Sequence, residues 1–487
     1  MAEAAGLYAV GSLSDIYARL KEPPDGTRNG CTLATTLPLS DPYRPASRRI
    51  TSSSGEPWSG DWKATATIGH FMKRLPPLRL SLPKTHWATT GSLLTALASQ
   101  AALLISGIAI ARMLGPENRG YLAFILLVPA ALAGLASLGI PAALPFFIAR
   151  EPGGVTSIIR AISGPAVAQA GVAMGVHVIA ITVLFRGAPE TVEVAVVVSL
   201  LIIPGALAHQ YSIAVLQGLR RFRSYNVLRL IPVVIYSAGV GILYVVAGGS
   251  VLSITATSVL VTLGAALISA YVVRTRLPEK RGQLAFMPFL GFGLKGFLGA
   301  TNSIESYRLD QILIGITMQP AALGFYVIGL SFTNLPKFIG QSVGIVAYPH
   351  VASQAADGGG WSSMWRYFWL VAALCGLTVL ILGLLAEQLI VLLFGAQFRP
   401  SAPVTSILLL NALLFSMRRV LTDGVRGLGL SGLGSLAEGT SVVVFLPAAF
   451  FLGMWAGIEG VAMALTLSSA SALIVLFALV WTRRPVT

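Results

Sequence analysis

GSLLTALASQAALLISGIAIA, residues 91–111, decides the fold. It holds no charged side chain, and as an α-helix it would measure about 31 Å, the thickness of bilayer hydrocarbon. Apolar runs of similar length recur at 121–148, 161–185, 194–217, 227–247, 251–273, 289–316, 322–348, 366–394, 402–421, 435–455 and 459–481. The expectation is twelve membrane-spanning helices, the longer ones tilted or interrupted at the interface.

Composition agrees. Of 487 residues, 55% are hydrophobic and 11% charged, against about 25% charged in soluble domains. Residues 1–90 hold 11 Lys/Arg and 7 Asp/Glu, which leaves 23 and 12 for the other 397. So few charges cannot solvate a globule. A soluble protein is excluded, and the +15 net charge is no nucleic-acid footprint. Cys31 and Cys375 lie in a polar tail and an apolar run, so no disulfide is expected. His177 and His209 sit in apolar runs and His70, His86 and His350 in or beside polar segments. No ligand spacing for a metal occurs, and no cofactor is expected.

Residues 1–85 are rich in Pro, Ser, Thr, Gly and Arg with no sustained apolar period. They read as a disordered cytoplasmic tail. Met72, followed by Lys73 and Arg74, offers an alternative start. The domain reading is a six-helix lobe over 86–273, a cytoplasmic inter-lobe loop over 274–288 and a second six-helix lobe over 289–487.

Charge in the connections sets orientation. With the tail, one side collects 27 Lys/Arg, among them Arg150, Arg160, Arg220, Arg221, Arg223, Arg274, Arg366, Arg418, Arg419, Arg426 and Arg483. The other receives Arg112, Arg119, Arg186 and Arg399. Both termini are therefore expected in the cytoplasm. The cluster Arg220, Arg221 and Arg223 reads as a topology signal meeting anionic headgroups. The halves also echo one another: Pro116 and Gly120 reappear as Pro320 and Gly324, and Phe185, Gly218 and Leu219 as Phe394, Gly427 and Leu428. A parallel repeat places a substrate route between the lobes near the midplane. No connection between spans exceeds about 20 residues, which leaves no room for the catalytic loop of a membrane glycosyltransferase or ligase.

The text from Ala111 to Tyr121, ARMLGPENRGY, and Ser137-Leu138-Gly139-Ile140-Pro141-Ala142-Ala143-Leu144 resemble the "ARxLGPExxG…Y" and "SLGxPxAL" patterns of polysaccharide-biosynthesis flippases (Wzx-like), within the multidrug/oligosaccharidyl-lipid/polysaccharide (MOP) exporter superfamily. Arg308-Leu309-Asp310 through Gly315 resembles the family's "RxDxxxxG", Leu323-Gly324-Phe325-Tyr326 its "LGxY", and Phe394-Gly395-Ala396-Gln397-Phe398 its "FGxxF". The resemblance spans Gly91 to the end and excludes the tail. It implies an all-α integral membrane fold like that of MATE and MOP flippases, twelve helices in two lobes. It also implies alternating access that moves an undecaprenyl-diphosphate-linked oligosaccharide outward across a bacterial cytoplasmic membrane. The partners would be the bilayer, that polyprenyl-diphosphate-linked oligosaccharide, and glycan polymerase and chain-length proteins; no nucleic acid and no covalent catalysis are involved.

A charge at helix depth costs at least about 2.5 kcal/mol, so it marks a lumen or pathway. Span seven carries Lys295, Asn302, Glu305, Arg308 and Asp310; span eight carries Asn334, Lys337 and Gln341 at i, i+3, i+7, with Pro336 as a gating bend. As a continuous helix, span seven would set Glu305 beside Arg308. The functional reading is a cavity in which Lys295, Arg308 and Lys337 meet a diphosphate, helped by Asn302, Asn334 and Gln341. Glu305 and Asp310 balance charge or couple an ion. The plainer alternative is an i, i+3 pair inside a bundle. In the first lobe Gln100, His209 and Gln210 are candidate polar positions, with interhelical hydrogen bonding as the plainer role for the histidines; Asn411 and Glu438 are assigned to neighbouring helices. A cation-coupled multidrug exporter of the same superfamily is the second reading, and it lacks the deep first-lobe acid such exporters use.

Overall fold

The computed structural model describes residues 85–150, 155–246, 248–275, 290–294, 303–355, 359–430 and 432–483. Lys295, Asn302, nearly all of the 1–85 tail with Met72, and most of the 274–288 loop lie outside them. All regular structure among the described residues is helical: α1 (Thr85–Ala136), α2 (Ile140–Arg150), α3 (Val155–Leu184), α4 (Glu190–Ser199), α5 (Ile202–Gly218), α6 (Phe222–Val246), α7 (Val251–Arg274), α8 (Ser303–Tyr307), α9 (Leu309–Thr317), α10 (Pro320–Ala355), α11 (Gly360–Leu384), α12 (Ala386–Phe394), a 3₁₀ turn (Ala396–Ser401), α13 (Ala402–Gly427) and α14 (Gly432–Trp481).

Among the described residues nine helical segments are long and apolar enough to cross a membrane. Two are bent from within. α1 breaks at Gly115, whose φ of 70° and ψ of 178° lie outside the helical region, and α14 breaks at Ala456 and Gly457. Each break divides one long helix into two apolar arms. Span seven departs from expectation: it is α8 and α9, separated by Arg308 in a left-handed conformation (φ 50°, ψ 48°).

Hydroxyls in these helices bond back onto their own backbone, as Thr255 Oγ1 does to Val251 O at 2.8 Å and Thr262 Oγ1 to Ser258 O at 2.7 Å. That satisfies them where water is absent. α7 starts with a capping box in which Ser250 N donates to Ser253 Oγ (2.8 Å) and Ser253 N to Ser250 Oγ (3.1 Å).

The internal echo read at Gly218-Leu219 and Gly427-Leu428 is a repeated helix terminator. α5 and α13 both end at the glycine, with the leucine as C-cap. The next residue, Arg220 (φ 55°) or Gly429 (φ 80°), is left-handed. Arg221 N then donates to Leu216 O at 2.9 Å, and Leu430 N to Val425 O at 3.0 Å. These are two copies of one Schellman closure.

The apolar core has three main parts. One cluster joins α2, α3 and α5 through Leu144, Ile148, Ile158, Ile203 and Leu207. Another joins α10, α11, α13 and α14 through Val351, Phe368, Leu421 and Leu476. The third joins both halves of the chain, with Leu122 and Ile125 of α1 packed among Leu323, Tyr326, Leu408 and Leu465. Within this third cluster the second echo becomes a contact. A Cβ on Gly120 would collide with Pro320 O and lie 3.1 Å from Gly324 N; one on Gly324 would collide with Pro116 O and lie 3.2 Å from Gly120 N. The two Pro-x-x-x-Gly segments face each other reciprocally, backbone against backbone.

This contact yields a stability test. Gly324→Ala must displace a carbonyl that belongs to a packed helix, and overpacking of this kind costs about 1–3 kcal/mol. At Gly164 an added methyl meets nothing within 4 Å, so Gly164→Ala stays neutral or gains up to about 1 kcal/mol. Thermal unfolding of the purified protein in detergent reads both; equal Tm values would show that the seam tolerates separation.

Candidate functional site

The left-handed break at Arg308 organises the site. Arg308 N donates to Glu305 O (3.3 Å) and Arg308 O accepts from Ile312 N (3.0 Å), so the chain turns and helix resumes at once. For a non-glycine residue this conformation costs about 1–2 kcal/mol. Its effect is to move the Arg308 side chain off the line that a continuous helix would give it.

The pairing expected from a continuous helix is therefore replaced. Glu305 Oε1 pairs with Lys337 Nζ on α10 at 2.7 Å, both side chains about one-quarter exposed. Lys337 Nζ also stands 5.5 Å from the centroid of the Phe415 ring. Asp310 is 5% exposed and accepts a hydrogen bond from Tyr326 OH at 2.8 Å. Both carboxylates are thus held by partners from α10. Arg308 has no ion-pair partner among the described residues.

A second unpaired cation faces the same space. Arg119 lies on α1, one turn beyond Pro116, and its buried Nε has no hydrogen-bond partner among the described residues. Arg119 and Arg308 line two adjoining cavities of about 430 Å³ each, within the size range of small-molecule sites. The first cavity is walled by Gln100, Glu305, Asp310, Gln311, Asn334 and Lys337 together with the arginines. The second adds Ser106, Ala123, Leu126, Tyr236 and Tyr307. A buried guanidinium nitrogen without a hydrogen-bond partner, as at Arg119, is costly, and Arg308 stands exposed in the cavity beside it. A phosphate relieves that cost, because each planar guanidinium offers paired N–H donors to two of its oxygens.

Of the residues singled out by sequence, Arg308, Lys337, Glu305, Asp310, Asn334 and Gln100 come together here. Gln341 is exposed on α10 and is not among the lining residues. His209 Nδ1 lies 3.2 Å from Ser269 Oγ and 3.3 Å from Ala265 O, an interhelical contact to α7. Gln210, beside it on α5, is half-buried and is likewise not among the lining residues. His177 Nε2 meets Ser199 Oγ at 3.0 Å. Pro336 O accepts from Ser416 Oγ (3.0 Å) and Cys375 Sγ (3.3 Å), so α10 is fastened at Pro336 to α13 and α11. Asn411 Oδ1 accepts from Ser469 Oγ at 2.7 Å, and Glu438 pairs with Arg418.

Two arginines counted as connection charges move. Arg418 is 6% exposed inside α13, bonded to Glu438 of α14. Arg119 is a cavity residue that sequence reasoning missed. The available signal was its place one turn into an apolar run, after a Gly-Pro break.

The pairing generates a test by double-mutant cycle. Glu305→Gln and Lys337→Met should couple by about 0.5–3 kcal/mol, the range for contacting residues. Glu305→Gln and Arg308→Met should combine additively. Unfolding in detergent measures both cycles, and coupling of Glu305 to Arg308 instead would restore the continuous-helix arrangement.

Residues 109–403 match the family model described as polysaccharide biosynthesis protein. No curated protein sequence matches significantly. Among solved structures, the lipid II flippase MurJ in an inward closed conformation aligns with a TM-score of 0.65 at 13% identity, covering 80% of this chain and 87% of that one. An inward-facing multidrug resistance MATE family transporter of the MOP superfamily aligns with a TM-score of 0.60 at 18% identity, covering 79% and 94%. At such identities the likeness is one of fold.

Proposed function

The chain belongs to the polysaccharide biosynthesis protein family, and from that premise we propose that it is a flippase for an undecaprenyl-diphosphate-type lipid-linked oligosaccharide. The observation that carries this reading is the pair Arg119 and Arg308, two cations without ion-pair partners among the described residues, facing one cavity between the halves of the chain. A diphosphate supplies the missing negative charge. Lys337 then acts as a reserve cation, held by Glu305 until substrate phosphate competes for it. Asn334 and Gln100, with Asn302 from the sequence reading, offer donors and acceptors to sugar hydroxyls, Lys295 from the same reading adds a cation for the diphosphate, and Gln341, outside the cavity lining, keeps no part in the site. Glu305 and Asp310 balance charge when the cavity is empty or couple transport to an ion. His209 and Gln210 keep only a structural part in this proposal.

The accompanying architecture is twelve crossings in two six-helix lobes, 86–273 and 289–487, joined by the 274–288 loop. Both termini are placed in the cytoplasm and the chain in a bacterial cytoplasmic membrane. Alternating access would bend α10 at Pro336 and must then strain the Ser416 and Cys375 contacts to its carbonyl. No covalent step is required, so the protein is a transporter rather than an enzyme; polymerase and chain-length proteins are proposed as functional neighbours. The second reading, a cation-coupled multidrug exporter, is disfavoured because the first six spans offer no deep Asp or Glu to bind the coupling cation, while the two arginines repel positively charged cargo.

The test is glycan export in cells. Removal of one charged hydrogen-bonding group costs roughly 10- to 100-fold, so Arg119→Ala and Arg308→Ala should each lower export by that factor while membrane insertion is unchanged. Lys337→Ala should also reduce it. Arg160→Ala, at an exposed position on α3, is the control. Export at the parental level in both arginine variants would sink the reading.

A further inference from the structure

The two cavities share one wall and differ beyond it. Leu103, Gly107, Arg119, Arg308, Gln311 and Val327 belong to both. On one side of that wall all the unshared charged and amide-bearing groups gather, Gln100, Glu305, Asp310, Asn334 and Lys337, with the hydroxyls of Ser331 and Thr333 and a backing of Leu104, Ile304, Leu330 and Leu465. On the other side the unshared groups are mainly apolar and small, with Ile110, Ala123, Leu126, Leu127, Ala130 and Ala131 of α1. That second compartment has no charged residue apart from the shared arginines; its polar groups are the neutral Ser106, Ser258, Tyr236, Tyr307 and Gln311. Across the seam the order is therefore apolar, cationic, polar.

We propose that the apolar compartment is a distinct binding site for the isoprenoid segment next to the diphosphate, while the polar compartment takes the first sugar. This rests on the diphosphate reading above. A polyprenyl-diphosphate-linked glycan has the same order along its own length: branched hydrocarbon, two phosphates, sugar. With the diphosphate on Arg119 and Arg308, the carbon chain and the sugar must leave in opposite directions, and only one direction offers each a wall of its own kind. The alternative assignment would set a sugar against Ala123, Ala130 and Leu127 and a hydrocarbon against the Glu305–Lys337 ion pair. That leaves an ion pair desolvated by an apolar chain.

The compartment would act through shape. A hydrocarbon leaving lipid tails for a protein wall gains no hydrophobic free energy, so affinity from burial alone is small in the membrane. Alanines at 123, 130 and 131 and the glycine at 134 leave space where branching methyl groups of an isoprenoid can sit. The proposed result is register: the chain enters in one orientation, and the sugar is delivered to the polar side.

Binding of two water-soluble probes to the full chain in nanodiscs tests this, with empty nanodiscs subtracted. The probes are inorganic diphosphate and farnesyl diphosphate. For a probe coming from water, burial of the equivalent of two methylene groups already gives roughly tenfold tighter binding. Farnesyl diphosphate should therefore exceed inorganic diphosphate by at least that factor. Ala123→Phe and Ala130→Phe fill the compartment and should each remove the advantage while leaving inorganic diphosphate affinity intact, which also reports a folded site. Equal affinities in the parent chain, or an advantage that survives both substitutions, would overturn the isoprenoid assignment and leave the diphosphate reading standing. No binding of either probe would overturn both.

Discussion

Where Gly120 and Gly324 face each other, the backbone of each helix fills the volume that a side chain on the other would need. In lipid this kind of contact carries unusual weight. Two apolar helices surrounded by hydrocarbon gain nothing hydrophobic by meeting, so close packing and hydrogen bonds must hold them. The seam supplies both. Gly315 of α9 gives way to the ring of Phe124 in the same manner. Arg112 donates to the carbonyls of Leu392 and Leu393, at 2.6 and 2.8 Å, and so closes the exposed end of α12. Beside it Phe394 and Phe398 are buried against Phe332 and Phe325. The cavity lies along the same seam, lined by residues from both halves.

The charges inside that cavity are governed by one backbone angle. If helix continued through residue 308, Arg308 would sit one turn from Glu305 and the two would neutralise each other. The left-handed turn removes that option, Glu305 goes to Lys337, and a guanidinium is left facing space. Backbone strain and an uncompensated charge thus come from the same residue. Arg418 shows the contrast. Among the described residues it is as deep as any cation, yet its partner Glu438 and the ring of Phe415, 5.4 Å away, make it part of the packing.

Helix content, the presence of long apolar helices and one repeated helix end were legible because each depends on local pattern: composition, run length, and a Gly-Leu terminator that closes α5 and α13 in the same way. Most of the cavity residues were legible for a related reason, since polar groups in an apolar run stand out. The pairing among them was not. It depends on whether residue 308 is helical, and nothing in Tyr307-Arg308-Leu309 signals a left-handed turn as a glycine would. Arg119 was hidden by the opposite effect. A connection charge and a first-turn cavity charge look alike in sequence, and only the bend at Gly115 determines which way the side chain reaches.

The motifs that carried the family resemblance divide in the same way. Arg112, Gly120, Gly315, Gly324, Phe394 and Phe398 make the seam, and Tyr326 holds Asp310 beside the cavity. Arg119 occupies one of the first motif's unspecified positions, and Gln100 and Asn334 lie outside every motif. A signature written by the seam reports how the halves meet and where a cavity must form. The groups that would face a glycan are free to vary under it, because no backbone contact depends on them.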